Sequence, residues 1–355
     1  IRQKYKFINE VTRSCSLICK LVPICNFACL VEALRIKGVD RCSNVMPNQN
    51  FNWPVIGHQK ITGFLQRNIA NSSFAHAYLF HGSNGIGKTA VAALFAKSLL
   101  CLNEGESLPC NSCRSCEQFD KLIYPDLFVV ERELNEKTDK KKQFISVNQI
   151  RELLEKINKR SFLNSYKIVI IKEAHLLNKE ASNSLLKTLE EPTQKTVIIL
   201  ISDNRDLILP TIQSRCQMIK FMPIGSSDIY DYLVKNNQTD RTTAKEISRL
   251  VHGRLDLAKN LAQSKEAFYD LKQLNIDFLD LFAKNLAQRF IYIEKLLGKK
   301  STIEDVNKHL DRLIVLYRDL LLVLNYNNNL LVNTYLEEKL LKIAERYSQN
   351  KIVEI

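Results

Sequence analysis

Two regimes of hydrophobic patterning divide the chain. Up to about residue 221, short continuous apolar runs recur: His76-Ala77-Tyr78-Leu79-Phe80, Tyr166 to Ile171, and Thr196 to Ser202. Runs this short, rich in β-branched and aromatic residues, predict buried strands. Between them lie stretches of helix formers: Ala90 to Leu100, Ile145 to Ile157, and Ala181 to Glu191. The last is stopped by Pro192, whose ring cannot continue a helix. Strands interleaved with helices place this part in the α/β class. Beyond residue 223 the pattern becomes helical. Ile229 to Ala262 predicts a small helical domain, and Leu271 onward is rich in helix formers. There, Leu310, Leu313, Ile314, Tyr317, Leu321 and Leu324 recur at helical spacing, and Leu316, Leu320 and Leu322 widen the apolar face. A helix apolar on several sides is either deeply buried or an oligomer contact.

Candidate chemistry begins at the loop after the first predicted strand, Gly82-Ser83-Asn84-Gly85-Ile86-Gly87-Lys88-Thr89. Strand, glycine loop and helix in this order form the context of a phosphate-binding P-loop. Gly82, Gly85 and Gly87 let successive backbone N–H groups turn inward around a phosphate. The following helix adds the positive end of its dipole. Lys88 is expected to reach the β- and γ-phosphates of ATP, and Thr89 to offer its hydroxyl to Mg²⁺.

The second element of such a site is altered. A nucleotide-hydrolysing P-loop protein carries an acidic pair after the next core strand, one acid for Mg²⁺ and one to orient water. Here Tyr166 to Ile171 is followed by Lys172-Glu173-Ala174-His175. Glu173 keeps the second place, while Lys172 puts an ammonium in the first, where it repels a metal dication. Nucleotide binding is compatible with this change, but efficient hydrolysis is not.

Ala181-Ser182-Asn183-Ser184-Leu185-Leu186-Lys187-Thr188-Leu189-Glu190-Glu191-Pro192 and Leu209-Pro210-Thr211-Ile212-Gln213-Ser214-Arg215-Cys216 carry a family resemblance. With the P-loop they strongly resemble the bacterial clamp-loader subunits of DNA polymerase III, both the gamma/tau motor and its delta-prime relative. The resemblance runs from about Trp53 to Phe221 and thins beyond. It implies an AAA+ P-loop core with a parallel sheet over 46–223, a helical lid over 224–266 and a helical collar over 267–355. Ser214-Arg215-Cys216 matches the family's SRC motif, which implies that Arg215 is a finger reaching a neighbouring subunit's ATP. A guanidinium there neutralises charge on the transferred phosphoryl group. Cys216 is expected to be core packing. Ser202 matches the sensor 1 place, and Gly253-Arg254-Leu255-Asp256 the start of sensor 2, with Asp256 where the motor carries arginine. Loss of the metal acid and the sensor 2 arginine, with the SRC arginine kept, resembles delta-prime; the intact P-loop leaves a gamma/tau-type motor as the alternative. The implied partners are the gamma/tau and delta subunits, the sliding clamp and primer-template DNA, in the cytoplasm and without a membrane.

Cysteine spacing adds a metal. Of ten cysteines, Cys101, Cys110, Cys113 and Cys116 follow C-x8-C-x2-C-x2-C. Two short C-x-x-C arms can wrap one tetrahedral Zn²⁺, and four protein ligands make the site structural. Clamp-loader subunits carry a zinc module at this place, just after the P-loop helix. Such spacing beside a nucleotide motif argues against a secreted disulfide scaffold.

The other cluster, Cys15, Cys19, Cys25, Cys29 and Cys42, lies in a stretch of different composition over 1–45, and no metal is assigned to it. The expectation is that this leader is upstream sequence and that translation starts at Met46. Ser16 to Leu34 is largely apolar, but Lys20, Pro23 and Glu32 interrupt it, so it offers no uninterrupted span of the ~20 residues a membrane needs. The formal charge of +13 favours a polyanionic partner, and about +8 remains when the leader's eight basic and three acidic residues are set aside.

Overall fold

A computed structural model describes residues 50–345, apart from 104–106, 135–140, 162–165, 193–194, 237–238 and 299–300. The leader, its five cysteines and Met46 lie outside the described residues.

The short strand β1 (Asn50–Phe51) leads into helix α1 (Gln59–Ala70) and the first core strand, β2 (Ala77–His81). The glycine loop follows, then α2 (Lys88–Leu100), β3 (Ser107–Leu108), α3 (Arg114–Asp120) and β4 (Leu127–Val130). Next come α4 (Val147–Asn158), β5 (Lys167–Ile171), α5 (Lys179–Glu190), β6 (Thr196–Ser202), α6 (Pro210–Gln213) and β7 (Gln217–Lys220). Helix α4 starts two residues later than the apolar pattern predicts. Ser146 and Gln149 form a reciprocal capping box there, which leaves Ile145 outside the helix as a bridge to Leu177.

Five strands form one parallel sheet in the order β4-β5-β6-β2-β7, while β1 and β3 pair separately. The strand before the glycine loop is thus interior, between β6 and the edge strand β7. Side chains alternate across a strand, which explains why these runs are apolar throughout. Tyr78, Phe80, Ile168, Ile170 and Ile199 face α1 and α2, whereas Leu79, Val169, Ile171, Ile198 and Leu200 face α4 and α5. Both sets are buried. A strand coated on both sides cannot show the apolar-polar alternation of a half-exposed sheet.

Three helices follow the sheet: α7 (Ser226–Lys235), α8 (Arg241–Leu250) and α9 (Leu255–Gln263), with a core of their own around Ile229, Leu233, Ile247 and Ala258. The last layer is α10 (Lys265–Asp280), α11 (Leu286–Leu297), α12 (Ile303–Leu324) and α13 (Glu337–Ala344). Here the buried face overlaps the expected stripe only in part: Leu313, Tyr317, Leu321 and Leu324 pack against the core as half-buried residues. Leu316, Leu320 and Val323 are buried against Leu336 and Leu340, whereas Leu310 and Ile314 are exposed. The heavily apolar helix offers several faces, and the packing of α10, α13 and the segment before α13 selects one. Asp319 is buried beside that stripe and is satisfied by the Val332 and Asn333 N–H groups and the Asn333 amide.

Candidate nucleotide site and thiol cluster

The glycine loop has the backbone its sequence requires. Gly82, Gly85 and Gly87 all have positive φ (147°, 76° and 96°). A Cβ on Gly82 would lie 2.3 Å from the Phe221 carbonyl oxygen, so only glycine fits. Gly87 precedes α2, and Lys88 is its first residue. The Lys88 ammonium is 4% exposed and donates to the Gly82 and Ser83 carbonyls at 2.7 and 2.6 Å. Its third partner is Asp203 Oδ1 at 2.8 Å. Thr89, the second helical residue, is exposed and lines a cavity of about 770 Å³ that Glu131, Arg132 and Lys172 also line.

At the ends of β4 and β5 the charges pair across the sheet. Val130 is registered with Ile171. The next two residues on each strand then meet: Lys172 Nζ lies 3.4 Å from Glu131, and Arg132 grips both oxygens of Glu173 at 2.8 Å. Burial pushes the Glu173 carboxyl up, but its bonds to Arg132 and the charge of that guanidinium outweigh this and hold it below its ordinary value. Glu173 is therefore an ion-pair partner of Arg132, and Lys172 lines the same cavity as Thr89.

Ser202 is fully buried, and its hydroxyl donates to the Asn204 carbonyl at 2.6 Å. The residue that reaches Lys88 is its neighbour, Asp203. Asp203 has a sequence signal, since it stands just past the C-terminal end of a parallel strand, where α/β proteins place their ligand contacts. Arg132 has none, because it meets Glu173 only through the register of β4 and β5.

The opposite side of the loop faces the helical layers. Asn84 and Gly85 share a cavity of about 730 Å³ with Arg254, Asp256, Asn260 and Arg312. The Asp256 N–H donates to the Gly85 carbonyl at 3.2 Å, so the sensor 2 segment touches the loop through its backbone. Arg254 pairs at the surface with Asp311 of α12 at 3.1 Å.

Arg215 lies just after α6. Its guanidinium donates to the Thr211 carbonyl at 2.8 Å and pairs with Glu190 at the end of α5. The bonds it makes are all to residues outside its own P-loop. Cys216 packs against the α4/α5 side of the sheet, and burial pushes its thiol up to about 12.

The four thiols of Cys101, Cys110, Cys113 and Cys116 converge within 4.8 Å of one another. Cys101 and Cys113 sulfurs are 4.0 Å apart, and those of Cys110 and Cys116 3.9 Å. Tetrahedral ligands at about 2.3 Å from one zinc would be about 3.8 Å apart, so the set can hold a metal ion. Burial pushes the Cys110 thiol up, but the Ser112 and Cys113 N–H groups and the neighbouring thiols lower it to about 6; burial raises Cys101 and Cys116. The buried Lys97 of α2 anchors the module to the core through Asn111 (2.7 Å) and Asp120 (2.8 Å).

An interior strand, glycine loop and helix in a five-stranded parallel sheet, followed by two helical layers, define an α/β protein of the P-loop class. The family model described as "DNA polymerase III, delta subunit" matches residues 57–225. DNA polymerase III subunit delta' of Bacillus subtilis is 29% identical over 82% of this chain and 86% of its own length. The delta' subunit of Pseudomonas aeruginosa is 41% identical over 40% of the chain and 42% of that protein. A DNA polymerase III gamma subunit of Buchnera aphidicola is 32% identical over 59% of the chain and 57% of that protein. Over residues 57–225 the chain is therefore similar to DNA polymerase III subunits of the delta' and gamma/tau kinds. Among the described residues no helix is long and apolar enough to cross a membrane.

Proposed function

We propose that this chain is the delta-prime-type subunit of a DNA polymerase III clamp loader. It takes part in ATP-dependent loading of the sliding clamp and lends Arg215 to the nucleotide of a neighbouring subunit. Its partners on this reading are the gamma/tau and delta subunits, the clamp and primer-template DNA, in the cytoplasm. The observation that carries the reading is the state of its own site. Lys172 stands at the metal position and Glu173 is held by Arg132, so neither serves a bound Mg²⁺ or an attacking water. Arg215 meanwhile is tied to Glu190 and Thr211, away from its own loop and one-third exposed.

Gly82, Gly85, Gly87, Lys88 and Thr89 would hold ATP, and Mg²⁺ bound with it would neutralise phosphate charge. The ion proposed for the four thiols is Zn²⁺, structural because four protein ligands leave no open position. The test is Arg215→Ala in a reconstituted loader. ATP turnover and clamp loading by the complex are expected to fall about tenfold or more; unchanged rates would remove the finger role. The intact P-loop supports a second reading, a gamma/tau-type ATPase. Steady-state turnover by the isolated chain separates the two: the delta-prime reading expects almost none, and brisk hydrolysis would favour the motor.

A further inference from the structure

Lys88 is the residue that a P-loop offers to phosphate, yet its donors are already committed. An ammonium has three protons to give, and the Gly82 carbonyl, the Ser83 carbonyl and the Asp203 carboxylate take them. The acid in this trio does not come from β5, where Lys172 stands. It comes from the end of β6, the strand paired with β2. Ser202 is registered with His81, and the Gly82 N–H donates to the Ser202 carbonyl at 3.3 Å. Asp203 is therefore carried to the loop by the sheet itself.

From this arrangement we infer that Asp203 is an internal anion competing with nucleotide phosphate for Lys88, and that it sets the nucleotide affinity of this P-loop. The inference rests on reading the loop as a phosphate site. Three features make the contact exchangeable. The Asp203 side chain is 32% exposed, so the carboxylate can turn into water. The two loop carbonyls still hold Lys88 when it leaves. The Asp203 N–H is directed at His175 Nδ1 at 3.4 Å, so rotation of the side chain suffices. A triphosphate brings several negative charges against one carboxylate, whereas inorganic phosphate brings fewer. The loop should therefore discriminate steeply in favour of polyphosphates.

The test is equilibrium binding of a fluorescent ATP analogue with Mg²⁺ to the full chain, for the wild type, Asp203→Asn and Asp203→Ser. Both variants are expected to bind about tenfold tighter. Equal, measurable affinity in all three would overturn the competition and leave the phosphate-site reading standing. Weaker binding by the variants would overturn it by making Asp203 a contributor to the bound state. No binding by any of the three would overturn the competition and the phosphate-site reading together. A readout without substitution guards against misfolded variants: the carboxyl ¹³C resonance of Asp203 in the wild type should move when ATP saturates the chain. An unmoved resonance also overturns the inference.

Discussion

At the scale of single residues, the Arg132–Glu173 pair is expected to link stability to pH. Arg132 is 8% exposed, and Glu173 contributes to compensating its charge. The folded carboxyl is held below its ordinary value of 4.5. A carboxylate with a depressed folded pKa contributes its full stability above the unfolded value, and that contribution is lost as pH falls through the folded value. The urea midpoint of the wild type is therefore expected to drop between about pH 5 and pH 3. That of Glu173→Gln should start lower at neutral pH and drop less over the same range. Parallel loss in the two proteins would show that the pair does not set the acid limb.

At the scale of elements, two units invite separate tests. The thiol module hangs on α2 through Lys97 and has little apolar interior of its own, so a bound ion would carry much of its folding free energy. A strong chelator at neutral pH is expected to release one ion per chain and lower Tm by roughly 5 °C or more. Cys116→Ser should reproduce the shift, and mass spectrometry under native conditions counts the ion. Helix α12 has a buried stripe and an exposed one. Leu320→Ala removes a fully buried side chain and should cost about 2–5 kcal/mol in denaturant unfolding. Ile314, 66% exposed on the same helix, should change stability by less than about 0.5 kcal/mol when replaced by Ser.

At the scale of the whole molecule, the proposed clamp-loader role predicts that exposed apolar side chains of α11 form a contact with another subunit. Leu286, Phe290 and Ile291 of α11 are each about two-thirds exposed. Leu286 and Phe290 stand one turn apart, on one face of the helix. Phe290→Glu is expected to leave the isolated chain folded and to weaken its assembly with other loader subunits at least tenfold, measured by sedimentation of the mixed complex. Unaltered assembly would move the contact elsewhere on the surface.

The sequence alone carried the features that depend on near neighbours. Continuous apolar runs named β2, β5 and β6, because a strand buried on both faces has no polar side to show. Glycine spacing named the P-loop, and the C-x-x-C arms named the thiols, because a few residues of backbone suffice to bring each set together. Lys172 was legible as a basic residue directly after the buried run of β5. What only the tertiary structure decided depends on register and on packing between distant segments. Glu173 meets Arg132 because β4 and β5 align Val130 with Ile171. Lys88 meets Asp203 because β6 lies beside β2. The buried face of α12 is chosen by α10 and α13 together, since hydrophobic burial has no direction of its own and goes where a partner surface stands.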